Sequence, residues 1–169
     1  MLQCPINNIT RRTMSSEEEK AKTASIPGAG EKTIFQKILD KEIPCQFLHE
    51  DDLCVAFDDV APQAPVHFLV IPKKPIATVE KATEEDEKVF LFYIIIWLLK
   101  EKKLRALFIE HFQTLGHLMF VASKVAKEQK NLDNGFRLVV NNGKEGCQSV
   151  YHLHVHCIGG KQLSWPPGC

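Results

Sequence analysis

The stretch Tyr151-His152-Leu153-His154-Val155-His156-Cys157-Ile158-Gly159-Gly160 decides how the chain is read. Imidazole and apolar residues alternate along it, and in a β-strand successive side chains point to opposite faces. A strand here predicts His152, His154 and His156 together on one face, with Leu153, Val155 and Cys157 on the core face. Three aligned imidazoles admit three readings. One is structural, although histidine is a weak strand former and three charged rings on one face repel. A second is zinc chelation, which needs a further ligand or water that no Cys/His pair at ligand spacing supplies. The third is a nucleophilic imidazole attacking phosphorus, with its neighbours stabilising the oxygens that gather charge. The loop Gly146-Cys147-Gln148-Ser149 feeds the strand, and its N–H groups, with Gln148 and Ser149, suit a phosphate or a leaving group.

Working outward, the spacing predicts an α+β fold. Thr33 stands before Ile34, Phe35, Ile38 and Leu39 as an N-cap before a helix that ends by Pro44. Strands are predicted at 46–49, 54–58, 67–71, 136–141 and 149–158, where β-branched and aromatic residues lie between turn signals. A second helix is predicted over 115–130, with Leu115, Leu118, Met119, Ala122, Val125 and Ala126 on one stripe. These strands form one antiparallel sheet.

The chain has 169 residues, with 21 Lys+Arg against 21 Asp+Glu, which disfavours a nucleic-acid duplex or an anionic membrane as main partner. The six cysteines form no C-x-x-C pair and no secretory signal precedes them, so they read as reduced thiols in an intracellular protein. Arg11 and Arg12 in an acid-free start leave mitochondrial import as an alternative to the cytoplasm and nucleus, and Met14 offers a second start. Residues 1–30 are expected as a mobile arm, because Ser15 to Gly30 is charged, then small, with few apolar residues to offset ordering entropy. The domain proper is expected over 31–169.

The triad and its flanks resemble the histidine-triad superfamily, whose motif is H-x-H-x-H, and its Hint branch in particular. The likeness also runs through Thr33-Ile34-Phe35, Ile43-Pro44, the stretch from Ala56 to Pro65, His67 to Lys74, Leu115-Gly116-His117-Leu118 and Trp165-Pro166-Pro167-Gly168. It implies a HIT-like sheet of about five strands with two main helices, joined across a homodimer. It also implies hydrolysis of purine nucleoside phosphoramidates, in which AMP is linked through nitrogen to an amine. By motif, His154 is the nucleophile that becomes adenylylated, His152 orients it partly through its backbone carbonyl, and His156 contacts the phosphate oxygens. Ser149 and Gln148 lie near the leaving group, and His67 is a further active-site histidine. Ile34, Phe35 and Ile38 contact the base, Asp59 and Val60 lie beside the ribose, and Asn141 and Cys147 lie near the nucleotide. Trp165 is implied as a C-terminal specificity residue. No cofactor or metal is expected, and turnover is expected to survive chelation. A non-catalytic nucleotide-binding or scaffold protein, a zinc-binding regulator and a dinucleoside polyphosphate hydrolase are the alternatives. Asp58 stands where histidine is common and Cys147 where glycine or alanine is usual, which bears on substrate preference.

Val89 to Gln113 interrupts this pattern. Its first eleven residues, VFLFYIIIWLL, are apolar but too few to span a bilayer, which takes about 20. One reading is a buried or interfacial helix. The other is an in-frame retained intron, since valine codons begin with GT and a CAG codon for Gln113 supplies the closing AG.

Overall fold

The computed structural model describes residues 16–28, 30–83 and 114–166. The start codons, Arg11, Arg12 and the segment 89–113 lie outside the described residues.

Five strands, β1 (Phe47–Glu50), β2 (Cys54–Asp58), β3 (Val66–Pro72), β4 (Phe136–Val139) and β5 (Val155–Gly159), form one antiparallel sheet in the order β1-β2-β3-β5-β4. The hairpin between β1 and β2 closes on Asp51, whose Oδ1 accepts from the N–H groups of Leu53 and Cys54 at 2.9 and 2.8 Å. Three helices accompany the sheet among the described residues: α1 (Ser16–Thr23), α2 (Ile34–Leu39) and α3 (Thr114–Glu128). Thr33 caps α2 as its sequence position predicts, accepting from the Gln36 N–H at 3.0 Å.

Both faces of the sheet are covered, which explains why β2 and β3 read as nearly continuous apolar runs. On one face the α3 stripe of Leu118, Val121, Ala122, Val125 and Ala126 packs on Cys54, Ala56, Phe68, Val70, Val155 and Cys157. On the other, Phe35 and Ile38 of α2 pack with Val55, Phe57, Leu69 and Ile71. The parity of β2 and β3 thus divides the molecule into a helix-packed core and a thinner α2 layer. Leu118 is fully buried at the first, and Leu118→Ala there costs about 2–5 kcal/mol.

The expected elements stand close to where the sequence puts them, with two differences in extent, and Met119, expected on the apolar stripe of α3, is exposed. The last strand begins at Val155 instead of residue 149. Ahead of it the backbone is held by non-ladder bonds, His152 N–H to Val150 O at 2.9 Å and Leu153 N–H to Ile76 O at 2.5 Å. Simple strand alternation therefore does not govern His152. The second difference is α1, eight residues of helix inside the segment read as an arm, with Ala21 buried.

Candidate active site

Where β5 and β3 lie side by side under α2, the imidazoles meet a cavity of about 270 Å³. Ile34, Phe35, Ile38, Phe57, Val60 and Leu69 form its apolar wall, while Asp59, Ser149, His154, His156 and Lys20 bring polar atoms to it. The Phe35 ring stands edge-on to His154 at 5.2 Å between centroids and to His152 at 6.1 Å. It also packs against Phe57 at 5.9 Å.

The ring nitrogens are assigned by their partners. His154 Nδ1 lies 2.7 Å from the His152 carbonyl oxygen, which can only accept, so Nδ1 carries the proton and Nε2 keeps the lone pair. His67 Nδ1 accepts from the Gln63 N–H at 3.2 Å, so its Nε2 carries the proton and donates to His156 Nδ1 at 2.9 Å. That leaves neutral His156 with its proton on Nε2. Asp59 stands behind this relay, its Oδ2 3.4 Å from His67 Nε2, while its Oδ1 accepts from the Ala61 N–H. His152 is buried and donates from Nε2 to the Pro72 carbonyl at 2.8 Å. Burial lowers the pKa of this ring below its ordinary 6.5, against the opposing pull of the Pro72 carbonyl, and so keeps it neutral.

Eight of the residues singled out from the sequence line the cavity: Ile34, Phe35, Ile38, Asp59, Val60, Ser149, His154 and His156. His67 joins them through His156. Five others do not line it. His152 lies behind Phe35. Gln148 is fully buried, and its amide is spent on backbone, donating to Ala77 O and Val150 O and accepting from Gly143 N–H. Asn141 donates to the Cys147 carbonyl at 3.2 Å, bracing the same loop. Cys147 adopts a left-handed φ of 62°, the conformation that glycine tolerates best. Trp165 is 84% exposed, and the preceding Ser164 carbonyl is held by Arg137 Nη2 at 2.7 Å. Asp58 turns away from the cavity to pair with Lys130 on the far side of its strand.

Lys20, Phe57, Leu69 and Val150 line the cavity without having been singled out as site residues. Phe57 and Leu69 share strand parity with Val55 and Ile71, a signal present in the sequence. Lys20 comes from α1 and carries no such signal.

A HIT domain family model matches residues 40–163. A HIT-like protein of Synechococcus elongatus is 46% identical over 138 residues, covering 82% of this chain and 98% of that one. The 14 kDa zinc-binding protein of Zea mays is 41% identical over 155 residues, covering 92% and 100%. Among solved structures, a HIT family hydrolase from Legionella pneumophila superposes with a TM-score of 0.62 at 36% identity, covering 81% of this chain and all of that one. The α+β architecture, the triad and these relatives agree: the chain belongs to the HIT domain family.

Proposed function

We propose that the chain is a hydrolase of the Hint type that cleaves purine nucleoside phosphoramidates through an adenylyl-histidine intermediate. The observation that carries this reading is the bond from His154 Nδ1 to the His152 carbonyl, which makes Nε2 the nucleophilic nitrogen of a ring that lines the cavity. His154 Nε2 attacks the α-phosphorus, the phosphorus–nitrogen bond to the amine breaks, and a phosphorus–nitrogen bond to the ring forms. Ser149 lines the same cavity as His154 and relays a proton to the departing amine, recovering one from the water that attacks in the second step. Water then cleaves the adenylyl group, releasing AMP and restoring the ring. The His156 Nε2–H, set by the His67 relay, faces the charge that gathers on the phosphate oxygens.

The apolar wall of Phe35, Ile34 and Ile38 takes the base, and Asp59 and Val60 the ribose. The chain works as a homodimer in this reading, supported by the exposed Met119 and Phe120 on α3, which need a cover. This reading uses no metal at the triad: His154 Nδ1 faces the His152 carbonyl, His156 Nδ1 faces His67, and His152 Nε2 faces the Pro72 carbonyl.

The test is turnover of an adenosine phosphoramidate with quenched-flow trapping and mass spectrometry. An adenylyl group on His154, and a loss of at least about 1,000-fold in His154→Ala with AMP binding retained, support the reading. Binding without turnover by the wild type would make the chain a nucleotide-binding module. Cleavage confined to dinucleoside polyphosphates would move it to the phosphoanhydride branch.

A further inference from the structure

A second group of metal-ligating side chains lies away from the cavity, at the β1–β2 hairpin. Asp51 Oδ2 is 2.8 Å from His49 Nε2 and 2.7 Å from His117 Nε2, the latter reaching in from the first turn of α3. Ligand atoms of His49, Asp51 and Cys54 all lie within 4.8 Å of one another. Asp51 cannot swing away, because its Oδ1 is held by the two hairpin N–H groups of Leu53 and Cys54. None of the four residues lines the nucleotide cavity.

We propose that His49, Asp51 and Cys54 form a zinc site at the β1–β2 hairpin, tied to the start of α3 by the His117 bond to Asp51. One imidazole, one carboxylate and one thiolate, with a water in the fourth position, make the mixed nitrogen, oxygen and sulfur set that suits a borderline-soft, four-coordinate ion. The charge also balances: one carboxylate and one thiolate neutralise a dication, leaving no net charge in a largely enclosed spot. On binding, a zinc–sulfur bond forms and the Cys54 thiol proton passes to solvent. In the metal-free chain the His49 and His117 Nε2 atoms both donate to Asp51 Oδ2, so on binding His49 moves its proton to Nδ1 and turns the freed Nε2 lone pair to the metal. The backbone bonds to Asp51 Oδ1 do what outer partners of a ligand do, fixing its orientation.

The test uses the full chain, stripped of metal under reducing conditions and titrated with Co²⁺ and then Zn²⁺. The site predicts one equivalent of Co²⁺ with a thiolate charge-transfer band in the near ultraviolet, displaced by Zn²⁺. The band should vanish in Cys54→Ser, and Co²⁺ affinity should fall more than about tenfold in His117→Gln, which leaves the buried core intact. Far-ultraviolet circular dichroism checks that each variant is folded. His154→Ala should bind Co²⁺ as the wild type does. No charge-transfer band in the wild type overturns the proposal. So does a band that survives both Cys54→Ser and His117→Gln, or one lost in His154→Ala.

Discussion

Gln148→Met separates a strut from a substrate contact. The resemblance to the family places Gln148 beside the leaving group, whereas its amide is wholly engaged with the backbone of Ala77, Val150 and Gly143 at 2.8, 3.1 and 2.9 Å. Methionine matches its length and flexibility but makes none of these bonds. Three buried hydrogen bonds at the usual net worth come to about 3 kcal/mol, and the Gly143 N–H and Ala77 carbonyl left behind push the figure upward. For a chain of this size that is a fall of about 6–12 °C in melting temperature. Urea unfolding of wild type and variant gives the midpoint change, and kcat/KM on an adenosine phosphoramidate is measured on the same samples. Activity should fall with stability, because the strut ties the loop before Ser149 to the segment after β3. A midpoint unchanged within about 0.5 kcal/mol, together with a large loss of kcat, would refute this and return Gln148 to the substrate.

Other perturbations probe the remaining parts of the site. Because burial lowers the folded pKa of His152 below 6.5, the unfolded chain binds the extra proton first; stability is full above pH 6.5 and falls as pH drops below it. Unfolding midpoints from pH ~7.5 to ~5 should show this slope, and His152→Gln should flatten it. Phe35→Ala removes the wall assigned to the base and should raise KM about tenfold, as loss of one stacked ring of about 1–3 kcal/mol implies; a pure kcat effect would contradict that role. Gly146→Ala should cut kcat/KM, because a Cβ there would sit 2.8 Å from the Asn142 nitrogen and closer still to its carbonyl oxygen, forcing the loop ahead of Ser149 to move. Wild-type kinetics in that variant would show that the loop is loose.

Much of this was legible in the chain itself. The helix capped by Thr33 and the strand 54–58 follow from local pattern, since side-chain alternation and a capping hydroxyl act over a few residues. Within the site, strand alternation singles out His154 and His156, while Phe35 and Asp59 are reached only through the resemblance to the family. What stayed hidden depends on contacts between residues distant in sequence. Parity cannot tell that His152 leaves the ladder for the Pro72 carbonyl, or that Gln148 turns inward. Nor can it bring His117 to Asp51, 66 positions earlier. Lys20 reaches the cavity from a segment whose composition speaks only of charge.

The bond that orients His154 has an acceptor that no side-chain substitution removes. Residue 152 can be changed to any amino acid and still present a carbonyl at the same place, so a mutational scan scores that position by its ring and passes over its peptide group. A map of the site drawn from such a scan would therefore rank position 152 as a core residue. Only backbone chemistry, such as an ester in place of the amide that follows residue 152, would weaken that acceptor while leaving every side chain in place, and it removes the Leu153 N–H bond to Ile76 O with it.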